Sequence, residues 1–295
     1  MKNFDRFIGV DWSGAKAPIN TKSIAVASVS RHEDNLRLYP KIRSRKAVAD
    51  FIEEVINQDQ RTLIGIDCNF GYAHEIVQKQ IGAQATALDL WARVDEVNTQ
   101  NDNFFAGNFW QHDTYAQDFW TAGKMPEGFQ MPKRMTEIIC AENGYGRPES
   151  PFKLIGAKQV GKGGLAGMRM AHYLKKQHGD KIAVYPFESD NAYDMAQVVI
   201  TEIYPRQFIM RTGFGRQKVR NADDLNEICR LFGVAEPKID EFTDHDTDAL
   251  VSAAGLRFLC GGEDNVPHNV SNPPQMNMQA RQCEGWIFGV GDKIC

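Results

Sequence analysis

The apolar and polar positions of the first 70 residues fall into clear blocks. Residues 6–11 (RFIGVD) form a short apolar run that ends in an acid and meets Ser13-Gly14, the pattern of a strand entering a turn. Residues 23–30 (SIAVASVS) alternate and are rich in small and β-branched side chains, and residues 36–42 follow as a third strand. Turn-rich links join each pair, which predicts an antiparallel meander. In residues 46–56 (KAVADFIEEVI), Val48, Phe51, Ile52, Val55 and Ile56 share one helical face. Residues 62–67 (TLIGID) are almost wholly apolar, as a central strand buried on both faces should be. The order is β-β-β-α-β, and the helical crossover makes the fourth strand parallel to an earlier one.

That rhythm stops after Asp67 and returns near Gly161. Residues 101–130 hold eight aromatics, about three times the chain's average density. They fit the small core of a cap, or a platform on which bases stack. The chain therefore divides into a core of residues 1–71 and 151–295 and an insertion or cap of residues 72–150. Beyond it the pattern predicts helices over 164–177, 222–232 and 246–259, the last ended by Gly261-Gly262, and strands over 181–187 and 198–204. Residues 266–280, rich in Pro, Asn and Gln, read as a surface loop, and residues 285–290 (GWIFGV) as a short closing strand.

Composition narrows the class. The 295 residues are 42% hydrophobic and 24% charged, which excludes a disordered or fibrous chain and fits one large domain or a domain with a big insertion. A net charge of −4 argues against coating nucleic acid by bulk charge. The first residues show no apolar signal core, no run approaches 18 apolar residues, and the six cysteines are scattered without a C-x-x-C pair. These features predict a cytoplasmic protein without disulfides, structural zinc or a membrane span.

Charge placement is more informative than its sum. Asp11 and Asp67 each end an apolar strand, Glu202 lies in VVITEIYP, and Asp244-His245-Asp246-Thr247-Asp248 opens the last long helix, where His245 and Asp248 share a face. Acids at the carboxyl ends of parallel strands converge on the usual ligand crevice of an α/β sheet. Taken singly, each fits a helix cap or an Asx-turn equally well. Together they make a hard-ligand set suited to Mg or Mn. Residues 133–181 hold ten Lys/Arg and four Asp/Glu, residues 205–220 five bases and no acid, and residues 221–250 nine acids and two bases. Such a layout brings phosphate to an acidic pocket, or is simply two solvated faces.

These motifs carry a resemblance. A meander, helix and parallel strand with acids on strands one and four resembles the ribonuclease-H-like fold, and His245-x-x-Asp248-Ala-Leu resembles the metal-binding helix of RuvC-type resolvases. IGVDWSG, IGIDCNFGYA, EIYP, DTDALVSA and EGWIFGV together resemble the domain-of-unknown-function 429 family over residues 6–71 and about 181–290. The resemblance implies an α/β fold with a ribonuclease-H-like mixed five-stranded sheet flanked by helices, the aromatic-rich insertion following strand four. It also implies a metal-dependent phosphodiester hydrolase, a nuclease with two Mg or Mn ions driving in-line displacement. Asp11 would bridge the metals, Asp67 would be the second acid, and His245 and Asp248 would hold the second ion. Resolvases carry Glu where Asp67 stands, so either Glu202 supplies the missing ligand or Asp67 is structural. His245 could instead shuttle a proton.

Two other readings remain. Gly156 to Lys162 fits seven positions of a phosphate-binding loop, but Gly163 replaces the magnesium-binding hydroxyl, so a P-loop ATPase is disfavoured while Lys158, Lys162 and Arg169 remain candidates to cradle substrate phosphate. The same features suit a module that binds a nucleotide or nucleic acid without cleaving it. An actin-like phosphotransferase would need a second copy of the first domain, which the sequence lacks. Nucleophile-elbow, H-E-x-x-H and Gly-x-Gly-x-x-Gly signatures are absent.

Overall fold

Residues 1–16, 23–129, 131–156, 159–214, 218–239, 241–262 and 265–291 are described by a computed structural model. Strands β1 (Arg6–Asp11), β2 (Ala25–Ser30) and β3 (Arg37–Leu38) form the expected meander, with β1–β2 and β2–β3 antiparallel. Helix α1 (Arg45–Ile56) starts at Ser44, whose hydroxyl accepts from the Ala47 N–H, and carries the chain to β4 (Thr62–Ile66), parallel to β1. Helices α2 (His74–Gln80), α3 (Ala87–Val97) and α4 (Met135–Glu142) come next. They are followed by α5 (Gly161–His178), β5 (Ile182–Tyr185), α6 (Asp190–Met195) and β6 (Val198–Glu202). The chain continues through α7 (Pro205–Arg211), α8 (Ala222–Leu231), α9 (Asp244–Cys260) and α10 (His268–Ser271). The sheet order is β3-β2-β1-β4-β6-β5, with β4, β5 and β6 parallel.

The sheet is thus mixed and six-stranded, flanked by helices, rather than five-stranded. The third strand pairs over two residues, not seven, because Pro40 has no N–H to continue the ladder. The expected closing strand is only a parallel bridge between Glu202 and Ile287; Gly285 and Gly289 lie at φ 78° and 84° and turn the chain away on both sides. The region read as a surface loop contains α10 and leads into a π-helical turn, Ala280–Glu284, that buries Ala280 and Cys283.

Strand alternation separates two cores. Ile8, Val10, Ile64, Ile66 and Ile200 face α1, α3 and α5, whereas Phe7, Leu63, Ala183 and Val199 face α7, α8 and α9. Each such side chain contributes about 1.5–3 kcal/mol on burial. The aromatic segment belongs to the first core: Phe109 stacks on Tyr115 at 4.3 Å, and Phe119 and Tyr72 pack on Phe152. Its buried rings extend the main core instead of forming a separate one, and they are turned inward, not offered as a stacking platform.

Candidate functional site

Two glycines position the acids. Gly9 and Gly65 are register partners on β1 and β4, on the face that α9 crosses. A side chain at Gly9 would overlap the Ala249 carbonyl, and one at Gly65 would press on Ile203 and Leu256, so α9 lies directly on the strands. Two residues beyond each glycine, on the same face, stand Asp11 and Asp67. Thr243 caps α9 in a reciprocal pair with Asp246, whose carboxylate also meets Arg43 at 2.8 Å. With that end fixed, His245 Nδ1 lies 2.5 Å from Asp11 Oδ2, and Asp248 sits one turn further along.

The electrostatics follow from crowding. Burial raises the Asp11 carboxyl, and the hydrogen bond from His245 opposes that shift. Asp67 is driven well above the carboxylate range by burial and then by Asp11, Asp248 and Glu202. Asp248 is pushed up to about 7, by burial first and Asp11 second. The bond to Asp11 raises His245, with its ring still 43% exposed. The nearby cation Lys218 is exposed and pairs with Asp244 at 2.9 Å, which lowers that carboxyl.

The metal expectation does not survive this geometry. Among the described residues, no three His, Cys, Asp or Glu side chains are grouped so that they could hold a metal ion. His245 and Asp11 spend their facing atoms on each other. Both Glu202 oxygens are gripped by the buried Arg134, at 2.6 and 2.7 Å, and Arg134 also bonds Glu137. Glu202 is therefore a structural acid tying β6 to α4, and the set Asp11, Asp67, Glu202, His245 and Asp248 does not fit Mg or Mn. The two-metal nuclease expectation falls with it.

The proposed phosphate cradle is also revised. Lys158 lies outside the described residues. Arg169 turns inward, bonding Asp95 at 2.8 Å and the carbonyls of Asn101 and Phe105, so it is a packing residue. Lys162 remains half-buried at the start of α5 with its ammonium 5.7 Å from the Trp110 ring. That helix begins at Val160 with no side-chain cap and no acid in its first turn. The turn after β1 is seated on it: a side chain at Gly14 would overlap the Lys162–Gly163 peptide, and Trp12 Nε1 donates to the Gly163 carbonyl at 3.0 Å.

One residue escaped sequence reasoning. Arg45, wholly buried at the first position of α1, donates from Nη1 to the carbonyls of Ser13 (2.7 Å) and Ala15 (3.0 Å) and from Nε to that of Asn103. Its Nη2 has no hydrogen-bond partner, and among the described residues it forms no ion pair. Nothing in the sequence distinguishes it from an ordinary solvated arginine opening a helix.

A cleft of about 610 Å³ lined by Gln58, Lys181 and Gln197, which precede β4, β5 and β6, and by Glu188 among others, reaches none of these residues. Among the described residues no helix is long and apolar enough to cross a membrane. No protein-family model, curated protein or solved structure matches the chain.

Proposed function

We propose that this protein is a nucleotide- or nucleic-acid-binding module that holds its ligand's phosphate without a metal and does not cleave it. The observation that carries this reading is the first turn of α5: glycine-rich, uncapped, free of acids, bearing Lys162, and packed against the Ser13-Gly14 turn at the carboxyl end of the sheet. The unsatisfied N–H groups and positive end of such a helix favour an anion, and Lys162 adds a formal charge. The strand order supports a ribonuclease-H-like scaffold with residues 72–150 as an insertion. The ordered motifs support kinship with the domain-of-unknown-function 429 family. The five cysteines among the described residues are buried and unpaired, which supports a reducing, cytoplasmic setting.

Calorimetric titration with nucleoside mono- and diphosphates and a short oligonucleotide tests the reading. Saturable binding of at least one, unchanged by EDTA and without turnover, is the expected result. Absence of binding across the set, or cleavage of the bound ligand, overturns it.

A further inference from the structure

A buried charge cluster at the end of β6 takes no part in the site above. Arg134, Glu137, Glu202 and Glu284 are each at most 6% exposed, so one cation meets three carboxyls away from water. The guanidinium fork is spent on Glu202, through Nη1 at 2.7 Å and Nη2 at 2.6 Å. Glu284 is met by backbone donors at two helix starts, the Met135 N–H of α4 at 2.8 Å and the His74 N–H of α2 at 3.4 Å. Glu137 has only the remaining Nε at 2.9 Å and the Arg134 N–H at the start of its own helix. Three carboxylates against one guanidinium would leave two negative charges in excess, and such a buried excess is costly enough that a carboxyl holds its proton instead. Burial raises Glu137 to about 7, with Arg134 opposing the rise and Glu202 adding to it.

The same cluster fastens the last part of the chain. Arg134 Nη1 also donates to the Glu284 carbonyl at 2.8 Å, the Ile287 N–H donates to Thr136 Oγ1 at 2.9 Å, and Ile287 and Val290 pack with Cys140 and Tyr145. The Phe288 N–H donates to the Glu202 carbonyl, which seats the segment on β6. We propose that Arg134, Glu137, Glu202 and Glu284 form a pH-sensitive clasp. It holds α4 and residues 284–290 on the end of β6 while one of its carboxyls carries a proton, and it loosens as that proton leaves. The closed form binds the proton more tightly than the open one. Closure is therefore fully favoured below pH 4.5, the ordinary value of the carboxyl, and weakens as pH rises through 7. The other groups around Glu137 are accounted for. The Cys140 thiol on its own helix is pushed up to about 12, by burial first and Glu137 second, and stays protonated. Lys133 and Arg211 are the cations that Cys140 senses, and the buried Tyr72 hydroxyl senses Arg134. Asp67, just past β4, senses Glu202 and is driven up by its own burial, so it is the rival sensor.

Hydrogen exchange of the full chain, read by mass spectrometry near pH 6 and near pH 8.5 and corrected for the intrinsic pH dependence of exchange, tests the clasp. Protection of residues 135–142 and 284–290 should fall about tenfold between the two, as a carboxyl moved from 4.5 to about 7 requires, while α1 keeps its protection. Glu137→Gln, which mimics the protonated carboxyl, should make both segments insensitive to pH. Unchanged protection in the parent chain, or an equal fall in α1, overturns the clasp. A fall that persists in folded Glu137→Gln also overturns it, by handing the titration to another group such as Asp67. Should Glu137→Gln fail to fold, carbon-13 NMR of the glutamate carboxyls in the parent chain decides the matter. A glutamate with its midpoint near 7 supports the clasp, and midpoints all below about 5.5 overturn it.

Discussion

The carboxyl end of β1 divides two flanks of opposite character. Toward α9, Asp11, Asp67 and Asp248 are pressed together with one half-exposed imidazole and one exposed lysine. Toward α5, Arg45 bonds the Ser13–Ala15 turn, the Lys162–Gly163 peptide packs against Gly14, and Arg169 pairs with Asp95, the one carboxylate among their pairings in the described residues. Each flank is seated by a glycine, Gly9 under α9 and Gly14 against α5. Acids at strand ends therefore do not by themselves make a metal centre. On the α9 flank the excess negative charge is relieved by raised carboxyl pKa values and the Asp11–His245 bond. On the α5 flank Arg169 is met by Asp95, Arg45 by backbone carbonyls and Lys162 by the Trp110 ring, and this is the flank on which we propose that the ligand binds.

The strongest way to break this comparison is to unseat one flank at a time. A methyl at Gly9 meets the Ala249 carbonyl and lies 2.7 Å from the Ala253 nitrogen, so the backbone of α9 must shift. Gly9→Ala should cost about 3 kcal/mol, or roughly 6 °C in Tm, and should move the His245 pKa back toward the ordinary histidine value as the Asp11 bond opens. Gly14→Ala should cost a similar amount but leave His245 where it is, while abolishing phosphate binding. Urea unfolding and a histidine NMR titration of the pair check this; a shift of His245 in both variants would show that the flanks are one unit.

The next effect concerns the acids alone. Asp248 has its folded carboxyl at about 7, above the unfolded value near 4, so the folded state holds the proton more tightly. Its contribution to stability is fully present below about pH 4 and is lost as pH rises through 7. Asp248→Asn should therefore stabilise the protein by about 2 kcal/mol at pH 8, half the ceiling set by a three-unit shift, because the carboxyl is only partly buried and coupled to Asp11. The advantage should shrink steadily toward pH 4 in denaturant titrations. A constant advantage at all pH values would mean that packing, not charge, distinguishes the variant.

How much of this was legible in the sequence depended on the kind of signal. Periodicity located β1, β2, α1 and β4 to within about two residues, because burial on a sheet or helix face is written in every apolar position. That Asp11 and His245 belong to one site was legible, but only as ligands of a metal; their direct bond was not foreseen. Arg134 taking Glu202, and Asp95 taking Arg169, were not legible, since each joins residues at least 68 positions apart and no local pattern encodes a distant counter-ion. The aromatic segment misled for the same reason: its density was evident, but whether rings turn inward is settled only by what packs over them. Arg45 was invisible because a buried arginine differs from a solvated one only in its surroundings.

The smallest effect sharpens the comparison most finely. Lys218 is exposed, yet its charge pulls down both Asp11 and Asp248, and it is a cation the acid flank borrows from the segment before α8. Replacing it with methionine removes a screened interaction worth only a few tenths of a kcal/mol, because most of the field passes through water. Lys218→Met should raise the Asp248 midpoint slightly and also release Asp244, whose carboxyl the lysine holds down, so that Asp244 moves toward the ordinary aspartate range. Both shifts should fade in 1 M salt, where the screening length falls to about 3 Å. Phosphate affinity on the α5 flank should not change, because Lys218 stands on the other side of β1. A loss of phosphate binding in this variant would place the ligand on the acid flank and reverse the assignment of roles.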